Sequence, residues 1–266
     1  MESYESFAAV YDTLMDNIPY DEWFAYLHEL LLEYNIKDGI IAELGCGTGN
    51  ITERLSKCGY DMIGIDNAPA MLEIANRKKA ENQTSTLYLC QDMREFELFG
   101  TVGAIISICD SVNYILDEEE LTDVFRLVNN YLDTDGIFIF DFHTQHYYRD
   151  IVASSTIAED RDDISFIWDN YYDEETDVNE LALSLFLREQ ENLFRKYEEL
   201  HLQRGYTVEE MKQIVEASGL TLLQCYDAFT HAPATEDSER VYIIAREHTT
   251  AGDKFAIAQN FQKNGE

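Results

Sequence analysis

Carboxylates and glycines at the ends of apolar runs are the residues of this 266-residue chain best placed to do chemistry. Glu43-Leu44-Gly45-Cys46-Gly47-Thr48-Gly49-Asn50 joins the apolar run GIIAEL (39–44) to a helical segment carrying Ile51 and Leu55. Glycines at such a junction let the backbone turn sharply and let a ligand approach without Cβ clashes. The helix start adds free N–H groups for an anionic or carboxylate-bearing ligand. Asp66 ends DMIGID (61–66), roughly twenty residues past the first glycine, where a carboxylate accepts from both hydroxyls of a ribose. Asp92 follows TLYLC (86–90), placed to accept from an exocyclic amine, and Met93 offers a soft surface to a purine face. Cys109-Asp110-Ser111 closes VGAIISI (102–108) as a further ligand edge. The candidate bases are His143 and His146, just past IFIFDF (137–142), and His201; an ordinary surface or hydrogen-bonded role competes for each. His28 reads as helical and peripheral.

Two nucleotide-like ligands compete for this pattern. The dinucleotide fingerprint is G-x-G-x-x-G, whereas this loop is G-x-G-x-G with Asn50 where the third glycine would fall, and Glu43 stands two positions before the first glycine. An NAD-dependent oxidoreductase is therefore the weaker alternative, and a cofactor-binding protein without catalysis is another.

Apolar runs alternating with amphipathic helices must hold these residues. DEWFAYLHELLLEYN (21–35) has helical spacing, and a further helix starts near Pro69 with Met71, Leu72 and Ala75 on its apolar side. Asp117 with Glu120, and Thr207 with Glu210, have the spacing of capping boxes for two more. Gly136 marks the turn before the fifth strand; LTLLQCY (220–226) and RVYIIARE (240–247) are two later strands, the second returning antiparallel. The alternation predicts an α/β fold, with a mostly parallel sheet and helices on both faces. Beyond Phe142 the pattern changes: ISFIW (164–168), ELALSLFLRE (180–189) and LFRKYEELHLQ (193–203) lack intervening helices and predict a small antiparallel β lobe. Trp168, Tyr171 and Tyr172 suit either a wall against a cationic or amine substrate or the core of that lobe.

Composition narrows the partners. A formal net charge of −33 opposes phosphate backbones and anionic membranes, which disfavours nucleic acid. No stretch approaches the ~20 apolar residues of a membrane span. The acidic, aromatic start MESYESFAAVYD lacks secretory-signal character, so a cytoplasmic location is expected. Cys46, Cys58, Cys90, Cys109 and Cys225 form no CxxC pair and no metal-ligand spacing; each reads as a small buried apolar residue, and no metal is expected.

ELGCGTGN, GIDNAPAML, QDMREF and ISICDSVNYI together resemble the four motifs of class I S-adenosylmethionine-dependent methyltransferases, over residues 39–142 and again over 205–247. The resemblance implies a Rossmann-like seven-stranded sheet with its last strand antiparallel, S-adenosylmethionine as cofactor and S-adenosylhomocysteine as product. Gly45, Cys46 and Gly47 would line the methionine moiety, with Glu43 beneath. Asp66 and Asn67 would bind the ribose, Asp92 and Met93 the adenine, and Cys109 and Asp110 would sit near the sulfonium; Met71, in the second motif, joins the cofactor residues. The stretch Tyr11-Asp12-Thr13-Leu14-Met15 through Trp23 is similar to the lid helices of small-molecule members, so that Tyr11, Tyr20 and Trp23 would close over the cofactor. The lobe is similar to the extra sheet that some small-molecule N-methyltransferases insert after the fifth strand. The expected organisation is lid helices over 1–38, a cofactor domain over 39–145 and 205–248, a lobe over 146–204 and a tail over 249–266. The expected reaction is methylation of N or O on a small acceptor; the acceptor and the oligomeric state are not legible.

Overall fold

The computed structural model describes residues 11–14 and 18–248. The expected tail, 249–266, and Met15 lie outside the described residues. Helices α1 (Tyr20–Glu33), α2 (Asn50–Lys57), α3 (Pro69–Asn82), α4 (Glu118–Tyr131) and α5 (Val208–Ala217) accompany a seven-stranded sheet. Its strands are β1 (Ile40–Leu44), β2 (Asp61–Asp66), β3 (Leu87–Cys90), β4 (Val102–Ser107), β5 (Leu132–His143), β10 (Thr221–Asp227) and β11 (Arg240–Arg246), in the order β10-β11-β5-β4-β1-β2-β3. β1 to β5 pair in parallel, and β11 runs antiparallel to both neighbours, as expected.

Alternate residues of the central strands feed two cores, one on each face of the sheet. Ile41, Ala104, Ile106 and Ile139 meet Leu27, Leu30 and Leu31 of α1 and Leu55 of α2. Ala42, Ile105, Phe138 and Phe140 meet Leu121, Phe125 and Val128 of α4 and Met211 of α5. With both faces covered, the strands can be apolar throughout.

A second sheet, in the order β6-β7-β8-β9, comprises β6 (Thr156–Asp160), β7 (Ile164–Asp173), β8 (Val178–Gln190) and β9 (Leu193–Arg204), all paired antiparallel. β6 was not expected: TIAED is exposed along most of its length and shows no alternation. A third apolar cluster joins this lobe to the large sheet, with Leu181, Leu183 and Leu185 against Leu14 and against Ala68 and Met71 at the start of α3. No described helix is long and apolar enough to cross a membrane.

Three local readings are corrected. Thr207 and Glu210 form a complete capping box, but Asp117 caps α4 alone, through Glu119 and Glu120 N–H, while the Glu120 carboxylate lies 3.7 Å from Arg94. β5 begins at Leu132 rather than after Gly136, and its register against β4 shifts between Val102 and Ala104. Cys58 and Cys90 are exposed, Cys109 and Cys225 half-buried, and only Cys46 is buried; all five are free thiols.

Candidate active site

Every loop that follows a parallel strand opens at one edge of the sheet, and the lobe covers that edge. Between them lies a cavity of about 670 Å³. Such an opening, outside the carboxyl ends of the strands, is where open α/β sheets bind ligands.

The glycine loop forms one wall. Gly45 (φ +69°) and Gly47 (φ +52°) both occupy the left-handed region. A Cβ on Gly45 would stand 2.5 Å from Ser111 Oγ, whereas one on Gly47 would meet nothing within 4 Å and would fill the cradle. Asp66 fixes the loop: its Oδ2 accepts from Gly47 N–H at 2.8 Å and its Oδ1 from Ala68 N–H at 2.8 Å. Burial pushes the Asp66 carboxyl up, and these two N–H donors offset part of the rise. Beneath the loop Glu43 is buried and accepts from the Thr52 hydroxyl; burial pushes its pKa up to about 8 despite that bond.

Asp92 is engaged in a way the sequence did not disclose. Its oxygens receive Arg94 Nε at 3.0 Å and Arg94 Nη2 at 2.6 Å, which hold its carboxyl below the ordinary range. The segment at 11–14 is helical and is tied to the loop. Asp12 accepts from Thr48 Oγ1 at 2.8 Å and Asn50 Nδ2 at 3.0 Å, and pairs with Lys78 Nζ at 2.7 Å. Tyr11 and Tyr20 hydrogen-bond each other beside it, and burial pushes Tyr20 up to about 12.

At the cavity floor a half-buried arginine joins two acids. Arg240 donates to Asp110 Oδ1 and to Asp141 Oδ2, each at 2.6 Å, while its guanidinium lies 4.9 Å from the ring centre of Trp23. Burial pushes Asp110 up, but Arg240, His143 and a 2.8 Å bond from Gln203 outweigh it and hold the carboxyl low. Asp141, with no exposed surface, is pushed up by burial against the pull of Arg240.

All fourteen residues expected at the cofactor line the cavity: Tyr11, Tyr20, Trp23, Glu43, Gly45, Cys46, Gly47, Asp66, Asn67, Met71, Asp92, Met93, Cys109 and Asp110. The open cradle over Gly47, the Asp66 carboxylate and the soft side chains Met71 and Met93 fit an adenosyl ligand with an amino-acid tail. The three histidines separate. His143 stacks on Tyr147 at 3.7 Å, and its Nε2 accepts from Arg240 at 2.6 Å; burial first and that arginine second push its pKa down to about 3. A neutral ring whose lone pair is already used is a poor base, which corrects that expectation. His146 bonds Asp150 at 2.8 Å and does not line the cavity. His201 does line it, with Nδ1 3.3 Å from the Tyr114 hydroxyl and Nε2 3.4 Å from Glu199. The aromatic wall is also corrected. Trp168 lines the cavity, but Tyr171 is 60% exposed on the opposite face of β7, and Tyr172 is buried with its hydroxyl 2.8 Å from Asp177. Among the described residues, Glu29, Glu33 and His231 stand close enough to hold a metal, but they are exposed and line no part of the cavity.

Sequence reasoning missed Asp141 and Arg240. The signal for Asp141 was present: a lone carboxylate inside the apolar run IFIFDF must be paired when buried.

Residues 41–136 match the family described as a methyltransferase domain. A protein of Geobacillus sp. (strain WCH70), named as a methyltransferase, is 33% identical over 245 residues, 92% of this chain and 99% of its own. The chain belongs to the class I S-adenosylmethionine-dependent methyltransferases, and its cofactor is S-adenosylmethionine. The crystal structure of such an enzyme from Clostridium acetobutylicum ATCC 824 superposes with a TM-score of 0.83 at 26% identity, covering 92% of this chain and 99% of that one. CalS10 of Micromonospora echinaspora, an amino pentose methyltransferase solved with S-adenosylmethionine bound, shares the fold at a TM-score of 0.71 and 16% identity, over 90% of this chain and 97% of its own. Membership of this family decides against the nicotinamide alternative and against a protein without catalysis.

Proposed function

We propose that this enzyme methylates nitrogen or oxygen of a small molecule held between the glycine loop and the lobe. Enclosure carries the reading. A cavity of about 670 Å³, roofed by the lobe and by Tyr11 and Leu14, suits a cofactor and a small second ligand. The net charge of −33 argues against a polynucleotide in the same place. CalS10, which acts on an amino pentose, is a precedent on the same fold.

Gly45, Cys46 and Gly47 take the methionine portion, with Glu43 supporting the loop. Asp66 and Asn67 take the ribose, Met71, Asp92 and Met93 the adenine, and Cys109 and Asp110 face the sulfonium. When bound, S-adenosylmethionine supplies a methyl group already activated for displacement. The chain contributes position and dryness: Tyr11, Tyr20 and Trp23 close the cofactor side, and the lobe closes the acceptor side. His201 is the group we assign to receive a proton from the acceptor, because it reaches the cavity with Glu199 at one ring nitrogen and Tyr114 at the other. The reading divides the chain into a lid (1–38), a cofactor domain (39–145 and 205–248) and an acceptor lobe (146–204). Five free thiols support a cytoplasmic setting.

Methyl-labelled S-adenosylmethionine, incubated with the enzyme and separate small-molecule, protein and RNA fractions of a cell extract, tests the proposal. Label entering the small-molecule fraction is expected; label confined to protein or RNA overturns it. His201→Asn should lower kcat roughly 100-fold and leave S-adenosylhomocysteine affinity unchanged.

A further inference from the structure

The two sides of the cavity differ in how their polar atoms are used. On the lobe side a chain of amides ends without a donor. Asn170 Nδ2 donates to Ser155 O at 3.4 Å, and Asn179 Nδ2 donates to Asn170 Oδ1 at 3.0 Å. The second bond fixes the Asn179 amide, so the atom left over is its oxygen. Asn179 Oδ1 is buried, has no hydrogen-bond partner and belongs to a residue lining the cavity. The Tyr148 hydroxyl, also on a buried cavity-lining residue, has none either. Both residues line the one cavity, and both are linked to Asp110. Gln203, the cross-strand partner of Asn179, donates to Asp110 at 2.8 Å, and the charge of Asp110 acts on Tyr148.

Unpaired buried polar atoms each cost about 1–3 kcal/mol, and two of them on one cavity call for a ligand. One is an acceptor and the other a hydroxyl that can serve either way, so the missing partner brings donors. An alcohol brings one O–H; a primary amine brings two N–H groups, or three when protonated. The Asp110 carboxylate, held low by Arg240, and the faces of Tyr147 and Trp168 favour the cationic form as it arrives. Phosphate has no counterpart here. Among the described residues no lysine lines the cavity, and its arginines are committed, Arg94 to Asp92 and Arg240 to Asp110 and Asp141.

We propose that the acceptor is a small unphosphorylated amine, bound through Asn179 Oδ1 and Tyr148 Oη on the lobe wall facing Asp110. Once the third proton of the ammonium has passed to His201, the two remaining N–H groups engage there and the nitrogen lone pair is free to face the cofactor side. The inference rests on the methyl-transfer reading above and narrows it from nitrogen or oxygen to nitrogen.

The test is calorimetry on enzyme loaded with S-adenosylhomocysteine, using matched probes: putrescine against 1,4-butanediol, and glucosamine against both glucose and glucosamine 6-phosphate. At least one amine should bind tenfold or more tightly than its alcohol counterpart, and glucosamine 6-phosphate should bind no better than glucosamine. Asn179→Leu and Tyr148→Phe should each weaken amine binding at least fivefold, with S-adenosylhomocysteine affinity unchanged as the control for folding. Tyr148→Phe removes a single atom and keeps the packing, so it serves if Asn179→Leu misfolds. Equal binding of amines and alcohols, no amine binding at all, preference for the phosphorylated probe, or indifference to both substitutions overturns the proposal. Failure of S-adenosylhomocysteine itself to bind would sink the underlying methyl-transfer reading as well.

Discussion

The wall built by the glycine loop and the wall built by the lobe face one cavity but are finished to different degrees. On the loop wall, Asp66, Asp92 and Asp12 each have both carboxylate oxygens occupied by donors from the chain itself. On the lobe wall, Asn179 and Tyr148 each keep an atom without a partner. A wall whose bonds are already made is rigid and meets the same ligand every time. A wall with unmet acceptors gains most from a particular visitor, so selectivity belongs there.

Arg240 anchors the floor between the two walls, and removing it is the severest way to break the comparison. Arg240→Met leaves buried Asp141 and half-buried Asp110 without their cation, and urea unfolding should show a loss of about 3–5 kcal/mol. A smaller loss would mean the two acids are solvated in place. Asp66→Ala attacks the loop wall alone: titration calorimetry should show S-adenosylhomocysteine binding roughly 10–100-fold more weakly, with acceptor-side probes unaffected.

Glu43→Gln sharpens the comparison through pH. Glu43 ionises near 4.5 in the unfolded chain and near 8 when folded, so the folded state holds a proton the unfolded state has lost. Its contribution is complete below about pH 4.5, falls as pH rises through that window, and is gone above about 8. Glutamine does not titrate, so between pH 5 and 8.5 the variant's melting temperature should fall less than the wild type's, by roughly 3–8 °C. Parallel curves would place the ionisation elsewhere. The mildest test is Asp12→Ala, which cuts a half-exposed pair with Lys78 and two further bonds to the loop. Stability should change by under ~1 kcal/mol, while stopped-flow release of S-adenosylhomocysteine should quicken about threefold.

The same contrast explains what the sequence disclosed. The loop wall comes from local chemistry: glycines between a strand and a helix, and an acid at the end of each following strand. Such signals survive in one dimension. The lobe wall depends on cross-strand register, which sets Asn179 opposite Gln203 and Leu183 opposite Glu199 across more than a dozen residues of chain. No spacing rule announces those pairs. Period-two alternation did reveal β8, but treating Trp168, Tyr171 and Tyr172 as one cluster ignored that same period, which turns Tyr171 away from the other two. Arg240 was hidden for a different reason: a basic residue opening a strand reads as solvated until the fold brings Asp141 beside it in the adjoining strand.

The chain leaves the large sheet for the lobe and returns to it at a single fastening. Gln145 N–H donates to Tyr206 O at 2.9 Å, Thr144 bridges Tyr206, and Asn113 Nδ2 reaches both His143 O at 2.8 Å and Arg204 O at 2.7 Å. A side chain on Gly205 would strike Gln145 Cα at 2.8 Å, so the two crossings lie nearly in contact. A segment clasped at its neck is a cassette. Evolution can exchange it, or a designer can transplant one from another scaffold, by matching two adjacent splice points. The methyl donor's half then remains as it was, and the enzyme acquires a different customer.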